Sequence, residues 1–232
     1  MYRDYAKRRQ PYLDAVDAIV KSVLTGPTHS LLDIGSGDGR RIWQIANQVG
    51  VERLVLTDPG RVMSELCADL PVAKVIRVAA EDLSDLDDRF DGITCLWNVL
   101  GHVESSSLRR TALGHMKSRL NEDGRILLDV NNRYNARAYG WLKTGYRMLI
   151  DLIRPSESNG DVSYVWNVGG RQINATGHVF RPAEIEELFS STGLAILDRI
   201  VLDYDTGEEC RSTFQGQLLY VLGHADSQVA NG

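Results

Sequence analysis

Three glycines at alternating positions, with an acid shortly before them, have the types and spacing that favour ligand binding. Asp33 precedes Gly35, Gly37 and Gly39 in the stretch Asp-Ile-Gly-Ser-Gly-Asp-Gly. Glycine adopts positive φ and has no Cβ, so a ligand can approach the backbone closely. The first amides of a helix that follows such a turn face the ligand. The stretch therefore predicts a nucleotide-binding turn.

The residues around this turn predict the elements that position it. Residues 31–34 form an apolar run that is typical of a buried strand, and apolar residues recur at helical spacing over 42–49. Strand, turn and helix in this order open a doubly wound α/β sheet. The dinucleotide-binding fingerprint needs a glycine or alanine five positions after Gly35, where this chain has Arg40. The turn therefore does not match that fingerprint.

Residues 33–39 resemble motif I of the class I methyltransferases that depend on S-adenosylmethionine (SAM). In that family the glycine turn lies under the methionine part of the cofactor, and the acid helps to hold its ammonium group. The resemblance implies SAM as cofactor and S-adenosylhomocysteine (SAH) as product. It implies these cofactor contacts at the turn: Asp33, Gly35, Ser36, Gly37 and Gly39.

A second acid follows the next predicted strand, residues 53–57. Asp58 and Pro59 stand about as far from the glycines as the ribose-binding acid of Rossmann-like units does. A carboxylate at a strand end can accept hydrogen bonds from both ribose hydroxyls, so we expect Asp58 and Pro59 to contact the ribose.

The third predicted strand, residues 75–79, is followed by Glu81, Asp82 and Leu83. The resemblance implies that the adenine edge is bound here. The family's common aspartate falls one or two residues earlier, where this chain has alanine at 79 and 80. Either Glu81 or Asp82 is therefore the candidate acceptor for the adenine amino group. The alternative is that these acids belong to a solvated loop without a ligand.

The fourth predicted strand, residues 90–96, leads into Trp97, Asn98 and Val99, which resemble motif IV of small-molecule methyltransferases. We expect these three residues to contact the cofactor, because ligands of open α/β sheets bind beyond the carboxyl ends of strands. His102 is a candidate to orient or deprotonate the substrate, or else to cap the next helix. Asn98 is not followed by Pro-Pro and an aromatic residue, the loop of DNA methyltransferases that act on amino groups, and no cysteine follows a proline, as it does in cytosine-C5 methyltransferases. Nucleic acid is therefore not the expected substrate.

Residues 131–180 exceed what the minimal fold needs, and they predict a helix over 136–153 and a hairpin around Gly169 and Gly170. We expect this insertion to be a lid over the acceptor site. Its candidate acceptor-site residues are Tyr134, Tyr164, Trp166 and His178. Tyr134 and His178 join His102 as candidate catalytic residues.

The predicted lid helix has two unlike faces. One face carries Trp141, Leu142, Tyr146, Leu149, Ile150 and Ile153, and the opposite face carries Lys143, Arg147, Asp151 and Arg154. Five bases stand against one acid between Arg133 and Arg154. We expect the apolar face to pack on the protein, with contact to a membrane surface as the alternative.

The first residues, 1–24, are predicted to be helical, and the family resemblance implies that they fold over the cofactor as a second lid. Arginine suits the methionine carboxylate because its guanidinium offers a planar fork of donors. Tyr5 or one of Arg8 and Arg9, with Arg9 preferred, is the candidate for this contact, and a solvated helix end is the alternative interpretation of the segment.

Composition bounds the remaining classes. The 232 residues carry 31 acids and 26 bases, a net charge of −5 that disfavours general nucleic-acid binding. Cys67, Cys95 and Cys210 are widely spaced, so we expect neither a metal site nor a disulfide framework. The chain shows no signal peptide and no apolar run of the roughly 18 residues that a membrane span needs. We expect a cytoplasmic protein without stable membrane association.

The sequence thus predicts one α/β domain over 1–224: a doubly wound, Rossmann-like seven-stranded sheet, mostly parallel, with its last strand antiparallel. Residues 225–232 are expected to be a disordered tail. The predicted reaction is in-line transfer of the SAM methyl group to a nitrogen or oxygen of a small-molecule acceptor, by a monomer or homodimer. The alternatives are an NAD(P)-dependent oxidoreductase and a non-catalytic SAM- or SAH-binding protein.

Overall fold

The structure, a computed structural model, describes residues 8–168 and 171–225. Tyr5, the first part of the predicted N-terminal lid and residues 226–232 lie outside the described residues. The side chains of Tyr164 and Trp166, predicted to contact the acceptor, also lie outside the described part.

The elements follow the alternation of strand and helix that the sequence predicts. The strands are β1 Ser30–Ile34, β2 Arg53–Thr57, β3 Lys74–Ile76, β4 Phe90–Cys95, β5 Leu120–Val130, β6 Asp161–Val168, β7 Arg171–His178, β8 Leu194–Leu202 and β9 Gln217–His224. The α-helices are α1 Gln10–Leu24, α2 Arg40–Val49, α3 Arg61–Cys67, α4 Ser106–Ser118, α5 Ala136–Tyr139, α6 Trp141–Ile153 and α7 Pro182–Ser191. Short 3₁₀ turns span Ala80–Asp85, Val99–His102, Glu157–Gly160 and Thr213–Gln215.

Seven strands form one sheet in the order β3-β2-β1-β4-β5-β9-β8. The last strand, β9, runs antiparallel to both of its neighbours, β5 and β8. The predicted fold class is therefore confirmed. The order of the strands reverses beside β1, and ligands of doubly wound sheets bind at that switch point, beyond the carboxyl ends of the strands.

Helices on both faces of the sheet enclose its core. All five residues of β1 are buried, as a central parallel strand requires. On one face α1 buries Tyr12, Val16 and Val20, and on the other α7 buries Phe189 against Tyr220 of β9. Burying each such large apolar side chain contributes about 1.5–3 kcal/mol to the stability of the fold. The two helices are therefore held firmly against the sheet at whose edge the site lies.

The insertion contains the two paired strands of the predicted hairpin, β6 and β7, whose joining Gly169 and Gly170 lie outside the described residues. The single helix predicted over 136–153 is instead two helices, α5 and α6, because Gly140 with φ of 86° separates them.

The orientation of α6 is the reverse of the one expected. Thr144 and Asp151 are buried, whereas Leu142 is 93% exposed and Leu152 is 80% exposed. The expectation that the apolar face packs on the protein is therefore wrong. No helix in the described ranges is long and apolar enough to cross a membrane.

A buried ion pair explains this orientation. The Asp151 carboxylate lies 2.8 Å from Nε of Arg133, and both side chains are less than a tenth exposed. Tyr134 donates to the same carboxylate at 2.9 Å and Asn159 at 3.0 Å. Burial opposes ionisation of Asp151, but these hydrogen bonds and the Arg133 charge hold its pKa below the usual range. The polar face of α6 is thus turned towards the protein.

We predict that Asp151→Asn lowers the free energy of unfolding by about 3–5 kcal/mol, because it leaves the Arg133 guanidinium buried without its counter-charge. Leu142→Gln and Leu152→Gln, on the exposed face of the same helix, should change it by less than about 0.5 kcal/mol. Urea unfolding followed by circular dichroism measures all three. A large loss in the leucine variants with a small loss in Asp151→Asn would mean that the helix is turned the other way.

Candidate active site

The glycine turn joins β1 to α2 and takes the shape that its sequence requires. Gly35, Gly37 and Gly39 have φ of 71°, 58° and 69°, in the left-handed region that favours glycine. A Cβ on Gly35 would lie 2.5 Å from Cγ2 of Val99, so the turn also packs closely on the loop after β4. A larger residue at Gly35 would displace both segments.

Asp58, directly after β2, is hydrogen-bonded to this turn. Its carboxylate accepts the backbone N–H of Gly37 at 2.9 Å and that of Gly60 at 2.8 Å. Asp58 is half-buried, so it also faces open space at the end of the strand. Ser36 links the same strands, because its N–H donates to the carbonyl of Thr57 at 2.9 Å.

Asp33 is a buried carboxyl group beneath the turn. Thr94 of β4 donates its hydroxyl to Oδ1 of Asp33 at 2.5 Å. Burial raises the pKa of Asp33 from 3.8 to about 6, although the hydrogen bond from Thr94 opposes the shift. Since the pKa is higher in the folded protein than in the unfolded chain, ionisation of this group lowers stability as pH rises from about 4 to about 6. A cation bound beside Asp33 would reverse that penalty.

The chain bends sharply after β4. Trp97 and Asn98 have φ of 62° and 57°, a conformation that costs about 1 kcal/mol or more for a residue other than glycine. The buried carboxylate of Asp129 holds the bend by accepting the N–H of Trp97. Asn98 accepts the N–H of Asn131 at 2.9 Å and donates to the carbonyl of His178 at 3.2 Å.

Asp129 is a functional candidate that the sequence reasoning missed. It is 3% exposed on β5, where it also accepts the hydroxyl of Tyr12 at 2.6 Å. Burial raises the pKa of Asp129, and the hydrogen bonds from Tyr12 and Trp97 oppose that shift. The available signal was one acid inside the apolar run Leu-Leu-Asp-Val, since buried acids in strands need a specific partner.

These elements surround a cleft of about 870 Å³ between the sheet edge and the insertion. It brings together eight of the residues predicted to form the site: Gly35, Gly37, Asp58, Pro59, Trp97, Asn98, Val99 and His102. It also gathers residues that the motifs did not indicate, namely Met63, Leu96, Asn131, Tyr139, Lys143, Arg147, Val162, Ser163, Val165, Gly177, Val179 and Tyr204. No sequence motif marks the lining residues that come from the insertion, because only the folding of the chain brings them to the edge of the sheet.

A smaller cavity of about 310 Å³ lies between α1 and the glycine turn. Asp33 and Ser36 line it, together with Gln10 of α1 and Arg41 of α2. Gly35, Leu96 and Trp97 line both cavities, so the two spaces meet at the turn.

Of the described residues, five predicted cofactor contacts line neither cavity: Gly39, Glu81, Asp82, Leu83 and Arg9. Gly39 packs towards the core, since a Cβ there would lie 2.7 Å from Cδ1 of Leu56. The Leu83 side chain belongs to the hydrophobic core. Arg9 lies over the ring of Tyr204, 4.1 Å from its centroid, and is paired with Asp205. Its guanidinium is therefore engaged beside the cleft rather than lining it.

Two of the three predicted catalytic residues are also engaged away from the cleft. His178 is fully buried, with Nδ1 2.8 Å from Asp161 and Nε2 2.7 Å from Glu184. Tyr134 donates to Asp151, and burial together with that carboxylate raises the pKa of Tyr134 to about 12. The structure gives both side chains a structural role in place of the predicted catalytic one.

His102 lines the cleft and is exposed to it, with Nδ1 3.4 Å from the carbonyl of Thr176. Its place after β4 is the one that the motif predicts. Within the described ranges, no three His, Cys, Asp or Glu side chains are grouped so that they would hold a metal ion.

Solved structures share this architecture over nearly the whole chain. A SAM-dependent methyltransferase from Clostridium acetobutylicum is 14% identical and covers 93% of this chain and 92% of its own, with a TM-score of 0.65. The CcbJ methyltransferase from Streptomyces caelestis is 14% identical and covers 92% of this chain and 96% of its own, with a TM-score of 0.68.

A third neighbour is the Burkholderia thailandensis 1,6-didemethyltoxoflavin-N1-methyltransferase, with bound 1,6-didemethyltoxoflavin and SAH. It is 17% identical and covers 97% of this chain and 82% of its own, with a TM-score of 0.60. At such identities the likeness shows the fold. Comparison with curated proteins gives no match.

A family comparison goes further than the fold. The family described as "Methyltransferase domain" matches residues 5–199, which is well over half of the chain. This match favours SAM over a nicotinamide dinucleotide as the ligand of the glycine turn, as the motif resemblance predicts. The chain belongs to this family of methyltransferase domains and is a class I SAM-dependent methyltransferase.

Proposed function

We propose that this methyltransferase transfers the SAM methyl group to a nitrogen or oxygen of a small-molecule acceptor. The observation that carries the proposal is the single cleft of about 870 Å³ that the glycine turn and Asp58 share with the insertion. Its volume lies in the range of about 300–1,000 Å³ that is common for small-molecule sites. The proposed cofactor and acceptor residues thus line one partly enclosed cleft.

The donor and acceptor groups of the chain fit SAM. Asp58 suits the ribose hydroxyls, and the buried Asp33 carboxyl suits the ammonium group of the methionine part. The smaller cavity beside Asp33 would hold the methionine end; Gln10 and Arg41 line it, and the Arg41 guanidinium is paired there with Asp17 at 2.6 Å. The adenine amino group is left without an assigned carboxylate.

When bound, SAM supplies a methyl group on a sulfonium, which is already an activated leaving group for in-line displacement. The chain therefore mainly has to align the acceptor and exclude water. The bent segment at Trp97 and Asn98 fixes the floor of the cleft, and the insertion covers it. His102 lines the cleft, and in this proposal it accepts the proton of an acceptor hydroxyl, whereas an unprotonated amine needs no base.

Two structural neighbours support a small-molecule acceptor by what their names say of them. One is the 1,6-didemethyltoxoflavin-N1-methyltransferase already described, and another is the glycopeptide N-methyltransferase MtfA, complexed with SAM. MtfA is 12% identical to this chain, with a TM-score of 0.60, so the support extends to the type of acceptor and not to its identity.

The test has two stages. Calorimetric titration with SAH measures cofactor binding, and methyl-labelled SAM then reports transfer to a panel of amines, phenols and hydroxy compounds. We expect SAH to bind and label to appear in an amine or hydroxyl product. SAH binding with no transfer to any acceptor would favour the non-catalytic binding protein, and no SAH binding would overturn the proposal.

We predict that Asp58→Asn weakens SAH binding by about 10- to 100-fold, because a hydrogen bond to a charged group contributes about 1.5–3 kcal/mol. Asp87→Asn removes an exposed acid away from both cavities and is the matched control. Calorimetry of both variants measures the effect. Equal affinity in wild type and Asp58→Asn would remove Asp58 from the ribose site.

We also predict that SAH affinity rises with pH through about 6. Below that pH Asp33 carries a proton in the free protein, and the ammonium group of SAH favours the ionised carboxylate. At pH 5, affinity should be up to about tenfold lower than at pH 7.5, since one pKa unit is a factor of ten. Asp33→Asn should bind more weakly and show little of this dependence. A wild-type affinity that is flat between pH 5 and 7.5 would contradict the role of Asp33.

A further inference from the structure

Two cations of the lid helix α6 line the acceptor side of the cleft. Lys143 and Arg147 stand one helical turn apart, and both line the cleft together with Tyr139. The Tyr139 ring centroid lies 4.5 Å from Cζ of Arg147 and 5.9 Å from Nζ of Lys143. The aromatic ring therefore holds the two charges on the same side of the helix.

Neither Lys143 nor Arg147 is in a direct salt bridge within the described residues, although the Asp151 carboxylate acts electrostatically on Arg147. Asp151, the nearest acid on α6, is itself paired with Arg133. Arg147 is half-buried and donates to the carbonyl of Arg133 at 3.0 Å, which supplies a neutral acceptor. Burial also lowers the pKa of Arg147.

The two cations stand four residues apart on α6, and Asp151 follows Arg147 by another four residues. Like charges four residues apart on a helix repel each other by about 0.2–0.5 kcal/mol. Asp58 is the one carboxylate among the described residues that line the cleft, and it is hydrogen-bonded to the glycine turn. A bound sulfonium would add a further positive charge, so an uncharged acceptor would leave several cations in one partly enclosed space.

We infer that the methyl acceptor carries an anionic oxygen group, a carboxylate or a phosphate, that binds Lys143 and Arg147 of α6. This inference rests on the proposed function, since it concerns the acceptor half of the same cleft. The guanidinium fork of Arg147 suits two oxygens of such a group, and Lys143 adds a second charge. The group would anchor the acceptor to the lid, with its nucleophile towards the glycine turn.

The test is calorimetric titration of inorganic phosphate and of benzoate into the free, the SAH-loaded and the SAM-loaded protein at fixed ionic strength. We expect at least one of the two anions to bind the loaded protein, and to bind it more tightly with SAM than with SAH because of the sulfonium charge. The preference for phosphate or for benzoate distinguishes the two kinds of anion. Binding should weaken with added salt.

Matched variants locate the binding. Lys143→Gln and Arg147→Gln should each weaken the anion by about fivefold or more while SAH affinity stays unchanged. Arg154→Gln, at the exposed end of the same helix and outside the cleft lining, should leave both affinities unchanged. Arg147→Gln removes a hydrogen bond to the carbonyl of Arg133 and could therefore destabilise the fold. Lys143 makes no described hydrogen bond, so Lys143→Gln tests anion binding without that complication.

The outcomes separate the two proposals. Failure of SAH to bind overturns the proposed function, and the titration of the free protein still tests the cation pair. If SAH binds but neither anion does, or if anion binding is equal in wild type and both glutamine variants, the anionic acceptor is refuted while the methyltransferase site stands.

Discussion

The buried carboxylate of Asp129 is the interaction on which the arrangement of the site depends. It accepts hydrogen bonds from the hydroxyl of Tyr12 on α1 and from the N–H of Trp97 after β4, while its own strand, β5, lies inside the sheet between β4 and β9. One group therefore joins the first helix, the bent floor of the cleft and the sheet. Removing a partner from a buried charge is costly, so these three segments hold their positions together.

A second buried charge governs the lid. The Arg133–Asp151 pair orients the polar face of α6 towards the protein, and this orientation also brings Lys143 and Arg147 to the cleft. The apolar face of α6 is exposed as a consequence, because the two opposite faces of this surface helix cannot both pack on the protein. The charge pattern of the cleft and the surface pattern of the lid thus have one physical cause.

The parts of the fold and site that the sequence predicts are those encoded by short local patterns. The glycine turn, Asp58 and the residues after β4 each lie within a few residues of a strand end, and strand ends of a parallel sheet meet at one edge. The order of strands and the antiparallel last strand follow from the family resemblance that these motifs carry.

The remainder depends on contacts between residues far apart in the chain. The Tyr12–Asp129 hydrogen bond spans 117 residues, so no local pattern indicates it. The amphipathic pattern of α6 tells which side chains share a face, but only the partner of Asp151 decides which face is buried. His178 has a residue type suited to catalysis, yet Asp161 and Glu184 enclose it.

The most direct test of the account is a crystal structure of the protein grown with SAH. We expect the ribose hydroxyls within hydrogen-bond distance of Asp58, the amino group beside Asp33, and the sulfur facing the part of the cleft lined by His102 and α6. SAH bound with its ribose away from Asp58, or with its amino-acid end away from Asp33, would contradict the account.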